Sequence, residues 1–379
     1  MIYVAFRMLV GDRVKYLGLI FGVAFSTLLI VQQASIFVRV LELSAYLVTA
    51  NPEIDVWVTR PGIGATEIVE QMPEGWLTRV RGVQGVAWAT PLYRGGTTAR
   101  GADGEMRNIG LIGVDDATLI GAPTVMLAGS IEDLRGPDKV IADIATFKRL
   151  FGDIPITEQP TIEIGKRRVR IIGVCRAVKT ITGGEIIYAR RSVAVRLTQE
   201  PNNTVSFALV KVQPGVPHEQ VARAIEAQTG LVAKTRQEFN DSIIDWTMEN
   251  TGIVQVLGSV ILLGIIIGML VVGQTFYLFA YENRKNFAAL KAMGASRATI
   301  TLMLCFQALF VTVLGYCIGL GGATLVLYLG DTDLSPMRDI TLSAPVALVV
   351  ALAMPAMVLS TAILAARGLV NGDPAIVFK

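Results

Sequence analysis

The sequence has one histidine and three cysteines. His218 sits beside Pro217 at an expected helix start and reads as a solvated first-turn residue. No Ser/His/Asp arrangement surrounds it, which removes the usual hydrolase chemistry. Cys175 stands alone. Cys305 and Cys317 share one apolar run, about 18 Å apart along a helix axis, beyond disulfide reach. A disulfide framework, a CxxC pair and a metal-binding spacing are all missing. No GxxxxGK[ST] loop is present, so the chain carries no P-loop for a nucleotide. Pro61-Gly62-Ile63-Gly64 is a turn with no nucleotide-binding fingerprint around it. Asp115-Asp116 and Glu132-Asp133 are adjacent, point opposite ways in extended chain, and make poor acid/base pairs. The formal net charge is only +3, and no nucleic-acid partner is expected.

Charge is also absent from four long runs, and this absence is the most informative. They lie between Lys15 and Arg39, Glu249 and Glu282, Arg297 and Asp331, and Asp339 and Arg367. Crossing a hydrocarbon core takes about 20 apolar helical residues. Inside lipid the backbone must satisfy its own hydrogen bonds, so each run is expected as a helix. Hydrophobic residues make up 52% of the chain, and the mean hydropathy is +0.54. The expected fold class is an α-helical integral membrane protein with four transmembrane helices and a large extracytoplasmic α+β domain inserted between helices 1 and 2. The expected order is a cytoplasmic interfacial segment over 1–15, the first span with its extension over 16–48, and the α+β domain over 49–248. A lobe over 122–198 is expected as an insertion in that domain. The second span covers 250–281, a cytoplasmic segment 282–297, the third span 298–330, the fourth 340–366 and a cytoplasmic tail 367–379. The stretch Ile2–Val10 reads as a short interfacial helix or as an extension of span one.

Cytoplasmic loops carry an excess of Lys and Arg. Arg7, Arg13 and Lys15 stand against Asp12 before span one. Arg284, Lys285, Lys291 and Arg297 stand against Glu282 between spans two and three, and Arg367 and Lys379 against Asp373 in the tail. Asp331, Asp333 and Asp339 outnumber Arg338 between spans three and four. Four spans alternate sides, and every basic segment falls on one side. Both termini and the segment 282–297 are therefore expected in the cytoplasm, with the inserted domain and the acidic loop outside.

Strand signals in the inserted domain fall on Ile54–Val58, Val86–Thr98, Met106–Val114, Thr161–Ile164, Val169–Ile172, Glu185–Leu197 and Val205–Val212. Helices are expected at Pro73–Val80, Ile144–Phe151 and Pro217–Gln228. Lys166, Arg167, Arg168 and Arg170 form a basic cluster that reads as a solvated hairpin face, an acidic-partner site or a headgroup contact. In the spans, Gly264/Gly268 and Gly315/Gly319 are GxxxG pairs, the spacing that lets helix backbones approach closely. Gln32, Gln33, Gln274 and Gln307 are the polar exceptions and are expected to pair between helices. No Asp, Glu, Lys or Arg lies within a span, which argues against an ion-coupled transporter or proton channel.

The segment from Tyr281 to Arg297 favours helix. At 100° per residue Arg284, Phe287, Leu290 and Lys291 share a face. Gly294 is a natural helix stop and Ser296 a cap for span three. Such a helix reads as a docking element for a soluble partner or as a topology-setting loop on anionic lipid. The run Phe-Ala-Ala-Leu-Lys-Ala-Met-Gly-Ala-Ser from Phe287 to Ser296 resembles the segment after the second span of FtsX/MacB-type (type VII) ABC permeases. Its Leu-Lys-Ala-Met-Gly form is most similar to DevC-like exporter permeases, and the layout of one span, a large domain and three spans agrees. Asn286 departs from the Glu that many members have there.

The resemblance implies a permease half with no catalytic residue, metal or cofactor of its own, ATP being bound by a partner. The ATPase-coupling residues it implies are Glu282, Arg284, Lys285, Phe287, Leu290, Lys291, Met293 and Gly294. It implies a cytosolic ABC ATPase dimer, a second copy or related permease, a periplasmic membrane-fusion adaptor and an outer-membrane channel, and membrane lipid as partners. The implied location is the bacterial inner membrane. The implied activity is coupling of ATP hydrolysis to movements of the periplasmic domain that drive export or extraction of a substrate. The alternative is an FtsX-like transducer that regulates an envelope hydrolase without transport.

Overall fold

The computed structural model describes residues 2–11, 13–62, 70–177, 185–201, 203–335 and 338–370. Ile63-Gly64 of the expected turn, Asp12, and Asp373 and Lys379 of the tail lie outside the described residues. The chain forms two compact units, Val40–Gly252 and Met1–Arg39 with Ile253–Lys379.

In chain order, α1 (Ile2–Gly11), α2 (Arg13–Ser44) and α3 (Tyr46–Thr49) lead into the inserted domain. There follow β1 (Val56–Thr59), β2 (Met72–Pro73), α4 (Gly75–Arg81), β3 (Val86–Arg100), β4 (Met106–Val114), β5 (Met126–Ala128), a 3-10 turn (Ile131–Arg135), β6 (Lys139–Asp143) and α5 (Ile144–Phe151). Then come β7 (Thr161–Ile164), β8 (Arg167–Cys175), β9 (Glu185–Arg190), α6 (Arg191–Thr198), β10 (Thr204–Val205), β11 (Phe207–Val212), α7 (His218–Thr229), β12 (Val232–Thr235) and α8 (Arg236–Asn250). The chain returns through α9 (Ile253–Glu282), α10 (Arg284–Ala292), α11 (Arg297–Gly330) and α12 (Ala344–Val370).

Among the described residues four helices, α2, α9, α11 and α12, are long and apolar enough to cross a membrane. Two GxxxG pairs meet α2 from two sides. A β-carbon on Gly315 would lie 2.6 Å from the Val23 β-carbon, and one on Gly319 would lie 2.6 Å from the Thr27 β-carbon and overlap the Ala24 carbonyl oxygen. From α9, a β-carbon on Gly268 would lie 2.7 Å from Ser26 Oγ, whereas one on Gly264 would sit 3.5 Å from Ile30 Cγ1. Small residues at these positions let the backbones close on one another where lipid offers no hydrophobic drive. Tyr316 of α11 donates to the Ala347 carbonyl of α12 at 2.9 Å. Pro345 falls in the first turn of α12, where a missing N–H costs nothing, and the helix runs on through Pro355.

The segment before span one is helical from Ile2 to Gly11. α1 packs on α11, with the Phe6 and Phe310 rings edge to face at 5.3 Å. Gln307 is fully buried, and its Nε2 donates to the Ala5 carbonyl at 2.6 Å. A buried amide lacking that acceptor would carry its full desolvation cost, so Gln307 fixes α1 as well as filling space. Gln274, by contrast, lies on the outer surface of α9.

The inserted domain is built on a ten-stranded sheet in the order β12-β1-β11-β3-β4-β9-β6-β8-β5, with β7 paired to β3 and β8. Strand β3 joins its two halves: Val86–Leu92 pairs with β11 and Tyr93–Arg100 with β4. Trp57, Phe207 and Phe239 form one aromatic core, with centroids 5.5 to 6.1 Å apart. α8 buries Phe239, Ile243 and Thr247 at i, i+4, i+8 and starts in a Thr235/Glu238 capping box, a sequence signature of a helix start.

The strand expected over Glu185–Leu197 stops at Arg190, and Arg191–Thr198 is helix α6. Val193, Val195 and Leu197 alternate like a strand, but Val193, Ala194 and Leu197 also fit one helical face, and all four are buried. Packing decides between the two periods. A β-carbon on Gly113 of β4 would lie 3.0 Å from Ala194 Cβ and 3.0 Å from Arg191 Cα, so β4 leaves room for a helix to lie on it. The helix expected from Pro73 starts instead at Gly75, because Pro73 pairs with Thr204 in β2.

Glu185 opens β9 with a side chain only 9% exposed, and its Oε1 is 3.7 Å from Arg149. Burial raises the carboxyl's pKa, and nearby Arg149 and Arg107 offset only part of that rise. A pKa raised on folding gives stability that is full below the unfolded value and is lost as pH rises through the folded one. Glu185→Gln is therefore expected to raise the melting midpoint at pH 8 and to leave it unchanged at pH 4. All four tryptophans, Trp57, Trp76, Trp88 and Trp246, lie in this domain, so their fluorescence reads its melting alone. An equal shift at both pH values would show that packing, not ionisation, is responsible.

Candidate coupling helix

α9 ends at Glu282 and the chain turns at Asn283. The Asn283 amide Nδ2 donates to the Phe279 carbonyl at 2.9 Å, and Asn286 Nδ2 donates to Asn283 Oδ1 at 3.1 Å. Asn283 and Asn286, three apart at a helix start, are the local side-chain pattern that competes with a straight helix. That pattern is legible in the sequence. α10 then runs for nine residues.

Its far end closes in a Schellman motif. The Ala295 N–H donates to the Leu290 carbonyl at 3.0 Å and the Gly294 N–H to the Lys291 carbonyl at 3.1 Å. Gly294 has φ +94°, a conformation open to glycine without a side-chain clash. Two residues on, Ser296 Oγ accepts from the Thr299 N–H at 3.2 Å and starts α11. The corner from Ala292 to Arg297 is thus held by its own backbone.

The apolar knob divides. Phe287 is 2% exposed and belongs to the core of the membrane unit with Phe276, Phe279, Ile300 and Leu304, and Leu290 packs against the same cluster. The face read as a docking surface therefore points inward at Phe287, into the core that holds Phe276, Phe279 and the start of α11. Met293, at the apex of the corner, is 76% exposed. Glu282, Lys285, Asn286 and Gly294 are exposed as well, and Lys291 is half-buried. The side chain of Arg284 falls outside what the structure describes; its backbone opens α10. The outward surface is one large flexible thioether with basic neighbours on a rigid corner. No group of His, Cys, Asp and Glu that could hold a metal ion occurs among the described residues.

Residues 16–228 match the family model of the MacB-like periplasmic core domain, and residues 258–374 that of the FtsX-like permease C-terminal domain. An uncharacterized ABC transporter permease of Mycobacterium tuberculosis, found in two strains, is 26% identical over 331 residues, 86% of this chain and 84% of the relative. The extracellular domain of the noncanonic ABC-type transporter YknZ from Gram-positive bacteria aligns with a TM-score of 0.36 at 18% identity, over 48% of this chain and 98% of that one. The periplasmic region of MacB from Actinobacillus actinomycetemcomitans aligns with a TM-score of 0.39 at 13% identity, over 53% of this chain and 94% of that one.

Proposed function

Since the chain belongs to the family of ABC transporter permeases with a MacB-like core domain and an FtsX-like C-terminal domain, we propose that it works by mechanotransmission. A separate cytosolic ATPase hydrolyses ATP, α10 receives its movement, and the inserted domain moves to drive export or extraction of a substrate. The protein lies in a bacterial inner membrane with both termini cytoplasmic, a reading supported by the basic segments at residues 7–15 and 284–297. The family as such implies a cytosolic ATPase as partner.

One observation carries the coupling role. The α10 corner is anchored inward by Phe287 and held at its end by the Gly294 turn, and it presents Met293 outward. A stiff anchored element transmits displacement, whereas a free loop absorbs it. Methionine suits a docking knob because its thioether adapts to an apolar pocket. Lys285, Lys291 and Arg284 add the charge, and Glu282 marks the end of α9. A second copy of the chain, or a related permease, completes the assembly. Gln274 supports this, because an amide on the lipid-facing side of α9 gains from an interhelical hydrogen bond.

The experiment is copurification in mild detergent followed by ATPase assay of the assembled complex. Met293→Asp is expected to weaken ATPase association at least about tenfold, about 1.4 kcal/mol, with an unchanged melting midpoint of the permease. ATPase binding and activity that survive both Met293→Asp and Lys285→Glu would remove α10 as the docking element.

A further inference from the structure

The β7–β8 hairpin carries a cluster of cations that the coupling role leaves unused. Arg167, Arg168 and Arg170 are exposed on β8, and Lys166 sits at the turn. The register builds two cross-strand rows on one face of the sheet. In the first, Arg100 of β3, Glu163 of β7 and Arg168 of β8 lie side by side. In the second, Thr161 of β7, Arg170 of β8 and Lys139 of β6 do so. Glu163 is the single carboxylate in these rows. It stands 3.9 Å from Arg100, with both side chains about half exposed, which is a weak surface contact.

We propose that this basic sheet face is a docking site for an acidic segment of a partner protein. Lys139 and Arg170 are directly opposed like charges, an arrangement that destabilises a sheet. No carboxylate pairs with Lys139, Lys166, Arg167, Arg168 or Arg170 among the described residues. A costly charge arrangement without internal compensation is what a surface that meets anions from outside requires. The cations are also held in place. The Gly165 N–H donates to the Thr98 carbonyl at 3.0 Å, and the Arg170 N–H to the Asp138 carbonyl at 2.9 Å, so both sides of the hairpin are tied to the sheet. Arginines on such a frame lose little freedom when they clamp carboxylates in bidentate pairs.

Charge complementarity selects a carboxylate-bearing protein segment as the occupant. Tyr46, Leu47, Ala50 and Asn51 share a small pocket with Arg176 and Ala177, at the C-terminal end of β8. These residues follow directly on α2, the first apolar span. The basic hairpin is at the opposite end of β8, about 26 Å away along a nine-residue strand. The cluster therefore lies at the end of the strand remote from the chain's entry into the domain. This surface does not involve α10, so failure of the coupling reading leaves it standing.

The test uses the full chain in detergent with a fluorescein-labelled oligoglutamate peptide, and in parallel phosphatidylglycerol vesicles. The peptide is expected to bind with an affinity that falls as salt rises. Arg168→Gln/Arg170→Gln is expected to weaken it at least about tenfold. Tryptophan fluorescence should show a melting midpoint unchanged or raised, since one like-charge pair is relieved. An equal loss in the control Arg79→Gln/Arg223→Gln, which removes two exposed cations elsewhere, would overturn the site. So would a peptide affinity unchanged in the double variant, or an Arg168/Arg170-dependent attachment to vesicles without peptide binding.

Discussion

Replacing Gly319 by valine is expected to prevent recovery of a folded membrane unit, and this is the largest single effect predicted for the chain. The added β-carbon would overlap the Ala24 carbonyl oxygen and crowd the Thr27 β-carbon at 2.6 Å. Backbone cannot swing aside as the end of a flexible side chain can, so α11 and α2 must separate. Overpacking that side chains can absorb costs about 1–3 kcal/mol; a clash with backbone exceeds that range, because separating the two helices also loosens the Gly315–Val23 contact one turn away. Gly321→Val is the matched control, because a β-carbon there meets nothing within 4 Å. Gly264→Ala should be tolerated, its nearest neighbour lying 3.5 Å away. The measurement is the monodisperse yield of each variant in the same detergent. Equal yields for Gly319→Val and Gly321→Val would mean that α2 and α11 do not pack through this seam.

Phe287→Ala should give the second largest effect, and of a different kind from Met293→Asp. Phe287 is 2% exposed within an aromatic cluster, and truncating a buried phenylalanine costs about 3–5 kcal/mol. The melting midpoint of the membrane unit is therefore expected to fall, and ATPase coupling to be lost with it, because α10 loses its anchor. Met293→Asp should spare the midpoint and lose only the coupling. The pair separates anchoring from docking: a Phe287→Ala protein that is as stable as wild type yet uncoupled would put Phe287 in direct contact with the partner. Thermal melts of the purified permease alone, beside ATPase assays of the complex, read both quantities.

Much of the architecture was legible without coordinates. Four charge-free runs had one physical solution in lipid, and the long strands β3, β4 and β8 carried alternating or β-branched patterns bounded by turn residues. Helices α5 and α7 were visible from their periodicity and their glycine stops. Other elements were not. α6 has apolar residues that fit a period of 2 and a period of 3.6 equally, and its conformation depends on a glycine in a strand far away in sequence. α8 carries a Thr235/Glu238 capping box, but its low apolar content hides it until Trp57 and Phe207 supply the surface that Phe239 covers.

The coupling helix shows the same division. Sequence by itself determined that a helix with a glycine stop and a serine cap connects the second and third spans, because these are local matters of backbone conformation and capping. It also determined that small residues recur at GxxxG spacing. Which helix those glycines would meet, and which side of α10 faces inward, was decided only in the tertiary structure. Both depend on packing between residues distant in the chain: Gly319 with Ala24 and Thr27, Phe287 with the core that holds Phe276 and Ile300, Gln307 with Ala5. A periodic pattern specifies that a face is apolar, and only packing against a particular neighbour determines whether that face is buried or left for a partner.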